Sequence, residues 1–288
     1  MPDDPTTRPA TQPATRAAGP AALSFARVAD AYDRARPSYP REAARWLVGS
    51  DYAHVLELGA GTGKLTEQLE ALGHRVIATD PLEPMLRHLV AHLPSTRTVA
   101  ATAERIPLRS RSVDAVIGAQ AFHWFDHARA LPEIARVLRP GGHLGLVWNH
   151  RDFRVPWVKR LGALIGTQEQ ESDPTHALLA SHLFGYVETS SYRFWQKLDR
   201  ELLRDLVASR SNVASMGEME RERVLRKVDE LYADYGRGPD GMLLPYVTHC
   251  YRAVVRPPAL EDDDRPRPGG GREDPDDPDD PSLLIDFG

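Results

Sequence analysis

Cysteine is nearly absent: the chain's 288 residues include only Cys250. No internal disulfide can form and no cysteine cluster can hold a metal, which fits a reducing compartment. Long apolar runs are missing too. None approaches the ~20 residues that span a bilayer, so no transmembrane helix is expected. The first residues, M-P-D-D-P, are acidic and proline-rich with no apolar stretch, unlike a signal peptide. A cytoplasmic protein with no membrane partner is therefore expected. Lysine is scarce, at positions 64, 159, 197 and 227 only, and the other cations are arginines. The net charge of −5 hides two unlike parts. Residues 257–288 hold eleven acids and three arginines, −8 in all, which leaves +3 for the rest. A near-neutral body gives no electrostatic case for nucleic acid. The histidines lack a ligand spacing such as H-E-x-x-H, so no metal site is expected.

What is present divides the chain in three. Residues 1–22 are mostly Pro, Ala, Thr and Arg without periodicity and read as a disordered tail. Residues 257–288 are rich in Pro, Gly and Asp and read the same way. The domain falls at 23–256, with 41% apolar residues across the whole chain, enough for a sizeable core. Within it, strands are expected at 54–58, 75–79, 96–100, 113–118 and 143–148, and helices at 64–72, 84–92 and 127–138. Pro140, Gly141 and Gly142 should stop the last helix sharply. This alternation predicts an α/β fold with a parallel sheet covered on both faces and a ligand at the carboxyl ends of its strands. Beyond 150 the pattern is less regular. A helix is expected from Val155 to Ile165, strands from Tyr192 to Leu198 and Leu243 to Val255, and a charged helix to about Tyr235. The S-x-x-E at 215–218 has the form of a capping box for that helix.

The stretch V-L-E-L-G-A-G-T-G-K-L-T at 55–66 is the most specific signal. A short apolar strand meets Gly59, Gly61 and Gly63, and a helical pattern follows. Glycine tolerates φ > 0 and lets a ligand approach the main chain, and the helix start adds unsatisfied N–H groups. A dinucleotide loop needs G-x-G-x-x-G, and Lys64 stands where its third glycine belongs. A P-loop needs G-x-x-x-x-G-K-[ST], but Leu58 and Leu65 occupy its first glycine and its hydroxyl position. Glu57 also disfavours phosphate and suits a cationic or hydroxyl-bearing ligand.

E-x-G-x-G-x-G after a strand resembles motif I of the class I S-adenosylmethionine (SAM) methyltransferases. The wider chain is similar to their small-molecule branch, which includes ubiquinone/menaquinone-biosynthesis and trans-aconitate methyltransferases. The similarity spans residues 25–150 and runs more loosely to 256. It implies a Rossmann-like, doubly wound, mostly parallel sheet of about seven strands with a late antiparallel hairpin. Helical insertions at 151–240 would shape the substrate pocket. It implies SAM as cofactor and transfer of its methyl group to a small-molecule acceptor by direct displacement. A non-catalytic SAM- or nucleoside-binding protein on the same fold is the alternative.

The resemblance also assigns residues. Asp80, followed by Pro81, ends the second strand and corresponds to the acid that binds ribose, although an Asp there can also cap a helix. T-A-E-R-I-P-L at 102–108 resembles the segment along the adenine. Thr102 replaces the usual acid, so Thr102, Ala103 or Glu104 would make that contact. V-D-A-V-I-G-A-Q-A-F-H-W-F at 113–125 resembles the strand exit beside the methyl group. Gln120 would meet the methionine end. His123 is the candidate base, since imidazole titrates near neutrality, or else a structural histidine bonded to a carbonyl. Y-D-R-A-R-P-S-Y-P at 32–40 resembles a lid segment: Tyr32 would pack near the sulfonium and Arg36 would pair with the cofactor carboxylate. Trp148, Asn149 and His150 end the fifth strand near the pocket mouth. The acceptor, the atom methylated and the oligomeric state are not readable from the sequence.

Overall fold

The computed structural model describes residue 33 and residues 35–49, 51–165, 173–236 and 241–257. Tyr32 lies outside the described residues, as do both expected tails apart from Pro257. Among the described residues no helix is long and apolar enough to cross a membrane, and no group of His, Cys, Asp and Glu could hold a metal ion.

Seven strands form one sheet in the order β3-β2-β1-β4-β5-β7-β6. They are β1 His54–Leu58, β2 Arg75–Thr79, β3 Arg97–Val99, β4 Val113–Ala119, β5 Leu138–Arg151, β6 Phe184–Leu198 and β7 Met242–Val255. The pairings from β3 to β5 are parallel. β7 runs antiparallel to both β5 and β6, which makes the expected late hairpin. Helices α1 Arg41–Val48, α2 Thr66–Ala71, α3 Glu83–His92 and α4 His127–Val137 alternate with the parallel strands. Helices α5 Pro156–Ile165, α6 Thr175–Ala180, α7 Arg200–Ala208, α8 Ser211–Ala214 and α9 Glu218–Tyr235 follow β5.

The apolar runs of β1 and β4 are buried on both faces, as parallel strands require. On one face Leu56, Val116, Leu144 and Leu146 pack with Leu131, Ile134 and Val137 of α4. On the other, Val55, Ala115, Ile117 and Val147 pack with Ala43, Ala44 and Leu47 of α1. A separate core joins Val158, Leu161 and Ile165 of α5, Leu203, Leu206 and Val207 of α7, and Leu225, Val228 and Leu231 of α9. Leu198, Met242, Leu244 and Tyr246 from β6 and β7 complete it.

Three local expectations are corrected. β5 begins at Leu138, ahead of the expected 143: α4 ends at Val137, close to where it was expected to stop, and Pro140, Gly141 and Gly142 lie inside the strand that follows. Gly141 has φ +81°, and the β4–β5 register shifts between Val113 and Ala115, so the glycines form a bulge. A Cβ on Gly142 would sit 2.9 Å from two carbonyl oxygens, those of Asp114 and Arg139. β6 begins at Phe184, eight residues before the expected Tyr192. Its outer face carries polar residues and exposed aromatics (Tyr186 83%, Trp195 62%), so no apolar run marks its start. The capping box does not form. Gly217 caps α9 without a side-chain bond, and Ser215 Oγ donates to the Asn212 carbonyl at 3.0 Å, closing α8 instead.

Candidate functional site

The site lies along the carboxyl ends of β1, β2, β4 and β5. Gly59, Gly61 and Gly63 all take left-handed backbone, with φ of +70°, +57° and +91°. Each side-chain-free position has its own reason. A Cβ on Gly59 would lie 2.6 Å from the Ala121 Cβ, and one on Gly63 would lie 2.8 Å from Leu89 Cγ. A Cβ on Gly61 would meet no atom within 4 Å. Packing therefore demands the outer two glycines, whereas Gly61 presents bare backbone on the open side of the loop.

Two carboxylates hold the loop. Asp80 accepts from Gly61 N–H at 3.0 Å through Oδ2 and from Leu82 N–H at 2.9 Å through Oδ1. Burial raises its pKa, and the two backbone bonds pull it back in part. Asp80 follows β2, as expected, and bridges the loop and Leu82, just ahead of α3. Glu57 sits beneath the loop at 1% exposure. Its Oε2 accepts from Thr66 Oγ1 at 2.6 Å, and its buried Oε1 has no hydrogen-bond partner. Desolvation pushes the Glu57 pKa up to about 8, opposed by the Thr66 bond and aided by the Asp80 charge. A buried acceptor left unsatisfied costs about 1–3 kcal/mol, so such an atom needs a reason.

The segment after β3 is fastened from outside. Thr102 bridges to Arg105 and is exposed, while Ala103 is buried. Glu104 Oε1 accepts from Asp126 N–H at 2.8 Å, just ahead of α4. Glu133 accepts from Ile106 N–H at 2.9 Å. Arg136 donates to the Ile106 and Leu108 carbonyls at 2.9 and 2.7 Å and pairs with Glu133. This places Thr102 and Ala103 at the tip of a clamped turn, with Glu104 partly committed to α4.

At the exit of β4, Gln120 has φ +55°. A left-handed non-glycine costs roughly 1–2 kcal/mol and clusters at functional sites. Two contacts hold it there: its N–H donates to the Val147 carbonyl at 2.9 Å, and its Nε2 to the Asn149 carbonyl at 3.4 Å. His123 follows in a short 3-10 turn, Phe122–Trp124. His123 is exposed at the surface, yet partial desolvation by the chain around it lowers its pKa, which favours a neutral ring able to take a proton. The structural role weighed for His123 falls to His127. Its ring stacks on Phe122 at 4.2 Å, and its Nε2 lies 3.0 Å from the Phe122 carbonyl oxygen.

The segment at 33–38 crosses the glycine loop. Asp33 pairs with Lys64 at 3.2 Å. Ser38 Oγ donates to the Lys64 carbonyl at 3.2 Å, and Gln68 Nε2 donates to Ser38 Oγ at 3.3 Å. Asn149 Nδ2 donates to the Ser38 carbonyl at 3.1 Å, and Gln196 Nε2 to the Ala35 carbonyl at 2.7 Å. Bonds from the loop, α2, β5 and β6 therefore fix this strap. It brings Arg36 and Pro37 to a small cavity with Gln120, Asn149, Arg151, Ile165, Leu206, Arg210 and Tyr246. The sequence reading missed Arg151, Arg210 and Tyr246. Arg151 shares the strand face of Val147 and Asn149, so period-two counting from Asn149 would have found it. Nothing local marks Arg210. Trp148 turns away into the core, 3% exposed, with its ring against Tyr251 at 5.6 Å. His150 lines a separate open groove of about 700 Å³ with Phe153 and His249.

Residues 56–146 match the model of a methyltransferase domain. An uncharacterized methyltransferase of Mycobacterium tuberculosis is 47% identical over 236 residues, covering 81% of this chain and 96% of that protein. An uncharacterized methyltransferase-like protein of Schizosaccharomyces pombe is 36% identical over 242 residues, covering 80% and 94%. Among solved structures, a candidate type II methyltransferase from Anaeromyxobacter dehalogenans aligns with a TM-score of 0.58 at 27% identity, covering 77% of this chain and 97% of its own.

Proposed function

The chain belongs to the class I SAM-dependent methyltransferases, and from that premise we propose that it transfers a methyl group from SAM to a small-molecule acceptor. The observation that carries the reading is Gly61. Its backbone is left-handed, its N–H is held by Asp80, and the space where a side chain would project meets no atom within 4 Å.

The residues assigned to SAM are those that the family resemblance implies. Gly59, Gly61 and Gly63 shape the backbone shelf, with Glu57 supporting it from below. Asp80, backed by Pro81, takes the ribose hydroxyls with lone pairs that its two backbone bonds leave open. Thr102, Ala103 and Glu104 flank the adenine. Gln120 meets the methionyl end and Arg36 pairs with its carboxylate; Tyr32, assigned beside the sulfonium, lies outside the described residues. Bound there, SAM supplies a methyl carbon already activated by its sulfonium and open to direct displacement. The protein's task is then to orient and enclose. Holding nucleophile and methyl in line supplies about 7–11 kcal/mol of the barrier, and the strap at 33–38 excludes water. His123, whose pKa is lowered, is the group assigned to accept the acceptor's proton where one must leave. Cys250 is buried and its thiol pKa is pushed up to about 12, which suits a structural residue rather than a nucleophile.

Thermal shift with SAM, S-adenosylhomocysteine and NAD tests the reading. At a hundredfold excess over Kd a ligand adds about 2.7 kcal/mol of stability. SAM and its product should stabilise the protein, and NAD should not. No response to SAM or its product sinks the proposal. Labelled methyl transfer to a metabolite extract then separates an enzyme from a protein that only binds.

A further inference from the structure

Asn149 ties three segments together at one point. It sits two residues before the end of β5, directly opposite Thr248 of β7 in the antiparallel ladder. The side chains of such a pair share one face of the sheet and can bond across the strands. Thr248 Oγ1 donates to Asn149 Oδ1 at 2.7 Å. Asn149 Nδ2 donates to the Ser38 carbonyl at 3.1 Å. The Asn149 carbonyl accepts from Gln120 Nε2 at 3.4 Å. β7, the strap and the exit of β4 therefore meet at one residue.

Chemistry fixes the direction of these bonds. A backbone carbonyl only accepts, so the amide nitrogen of Asn149 must face Ser38. The amide oxygen then faces Thr248, whose hydroxyl must donate. Asn149 is 4% exposed and Thr248 0%, and a buried bond broken from one side leaves its other partner unsatisfied. An ionised carboxylate of the same shape at 149 could still accept from Thr248 but would have no N–H for Ser38. Ser38 is tied on its other side to the glycine loop, where its Oγ donates to the Lys64 carbonyl at 3.2 Å. The strap thus runs from the loop after β1 to the end of β5, and Pro37 shares a small cavity with Gln120 and Asn149.

We propose that Asn149, aimed by Thr248, is a positioning residue that latches the strap, and that opening this latch sets how fast the methyl donor and its product exchange. The proposal rests on the methyltransferase reading, in which the strap closes over the cofactor. Lid opening limits turnover in many enzymes that sequester their substrates, and changes at such a contact act mainly on dissociation. Asn149 works through Ser38, and Thr248 works through Asn149.

Surface plasmon resonance with S-adenosylhomocysteine on the immobilised full chain tests it. Asn149→Asp loses the bond to Ser38 and Asn149→Ala loses both bonds. Each should raise the dissociation rate about tenfold, the worth of one buried hydrogen bond, without slowing association. Thr248→Val should raise it about threefold, since the amide keeps its place but loses its guide. Thr248→Ser, which keeps the hydroxyl, should restore the wild-type rate. Thr248→Val should add nothing once Asn149→Ala is present, as a residue acting through another requires. A merely structural role would lower the melting temperature and leave both rate constants at wild-type values, and that result overturns the proposal while the methyltransferase reading stands. An additive effect of Thr248→Val on Asn149→Ala also overturns it, by giving Thr248 a role of its own. If the Asn149 variants do not fold, Thr248→Val and Thr248→Ser decide: equal rates in the two overturn the proposal. Failure of the wild-type chain to bind S-adenosylhomocysteine overturns both.

Discussion

Strands β1 to β4 have three to seven residues and pair in parallel, whereas β5 to β7 have fourteen or fifteen and β7 runs against both neighbours. In the short half β1, β2 and β4 are buried and end in loops, so its candidate surface is the backbone of the glycine loop, the turn at 102–105 and the exit at Gln120. The long half overshoots the sheet. β6 and β7 continue pairing to Leu198 and Met242, past the end of β5 at Arg151. That overshoot is the floor on which α5, α7 and α9 build their own core. Its small cavity is lined by side chains, Arg151, Arg210 and Tyr246 among them, brought together from distant positions.

The sharpest way to break this contrast is Leu231→Ala. Leu231 is 1% exposed in the second core, and its truncation should destabilise the protein by about 2–5 kcal/mol. Chemical denaturation measures that loss. Calorimetry on the folded variant should give the wild-type affinity for S-adenosylhomocysteine, and a matching loss there would make the halves one unit. Asp80→Ala acts on the other side. It strips the acceptor from Gly61 and Leu82, and loss of hydrogen bonds to a charged group is worth roughly 1.5–3 kcal/mol, or about a ten- to hundredfold rise in Kd for SAM. Unchanged affinity would remove Asp80 from the cofactor site. Gly61→Ala should cost about 1–2 kcal/mol for its left-handed backbone, with no clash in the protein. Its effect on SAM affinity should exceed its effect on stability, because the added methyl points to the ligand side. Equal effects would mean that the shelf does not face the cofactor.

A further expected effect is pH-dependent. Glu57 has a folded pKa of about 8 against an ordinary 4.5. Between those values the unfolded chain releases a proton that the folded one keeps, so stability falls as pH rises through the window and levels off above it. Glu57→Gln removes that slope. The variant's melting temperature should match wild type near pH 4 and exceed it at pH 9. Parallel melting curves across that range would show that Glu57 is not held protonated beneath the loop.

The first half was largely legible before any coordinates. Apolar runs marked β1, β2 and β4, and motif I, Asp80 and the segments at 102–108 and 113–125 fell at strand ends as expected. Local patterns suffice there because each functional group lies within a few residues of the strand that positions it. The second half was less legible for physical reasons. β6 has one solvent face, so its pattern lacks the apolar run that gives a buried strand away. Pro140, Gly141 and Gly142 look like a helix stop, but the same glycines also permit a bulge, and pairing with β4 chose the bulge. His123 and His127 lie one turn apart, and only the position of Phe122 decided which ring stacks and bonds.

The sequence by itself determined the family, the glycine loop and the place of Asp80, because backbone conformation and short-range spacing are written in neighbouring residues. Only the tertiary structure decided that Arg36, Arg151 and Arg210 share one cavity. They are separated by more than a hundred residues of chain on one side and nearly sixty on the other. Their meeting depends on β5 running out to Arg151, on β6 and β7 overshooting it, and on the strap at 33–38 crossing back over the loop. Non-local pairing of that kind leaves no period in the sequence to read.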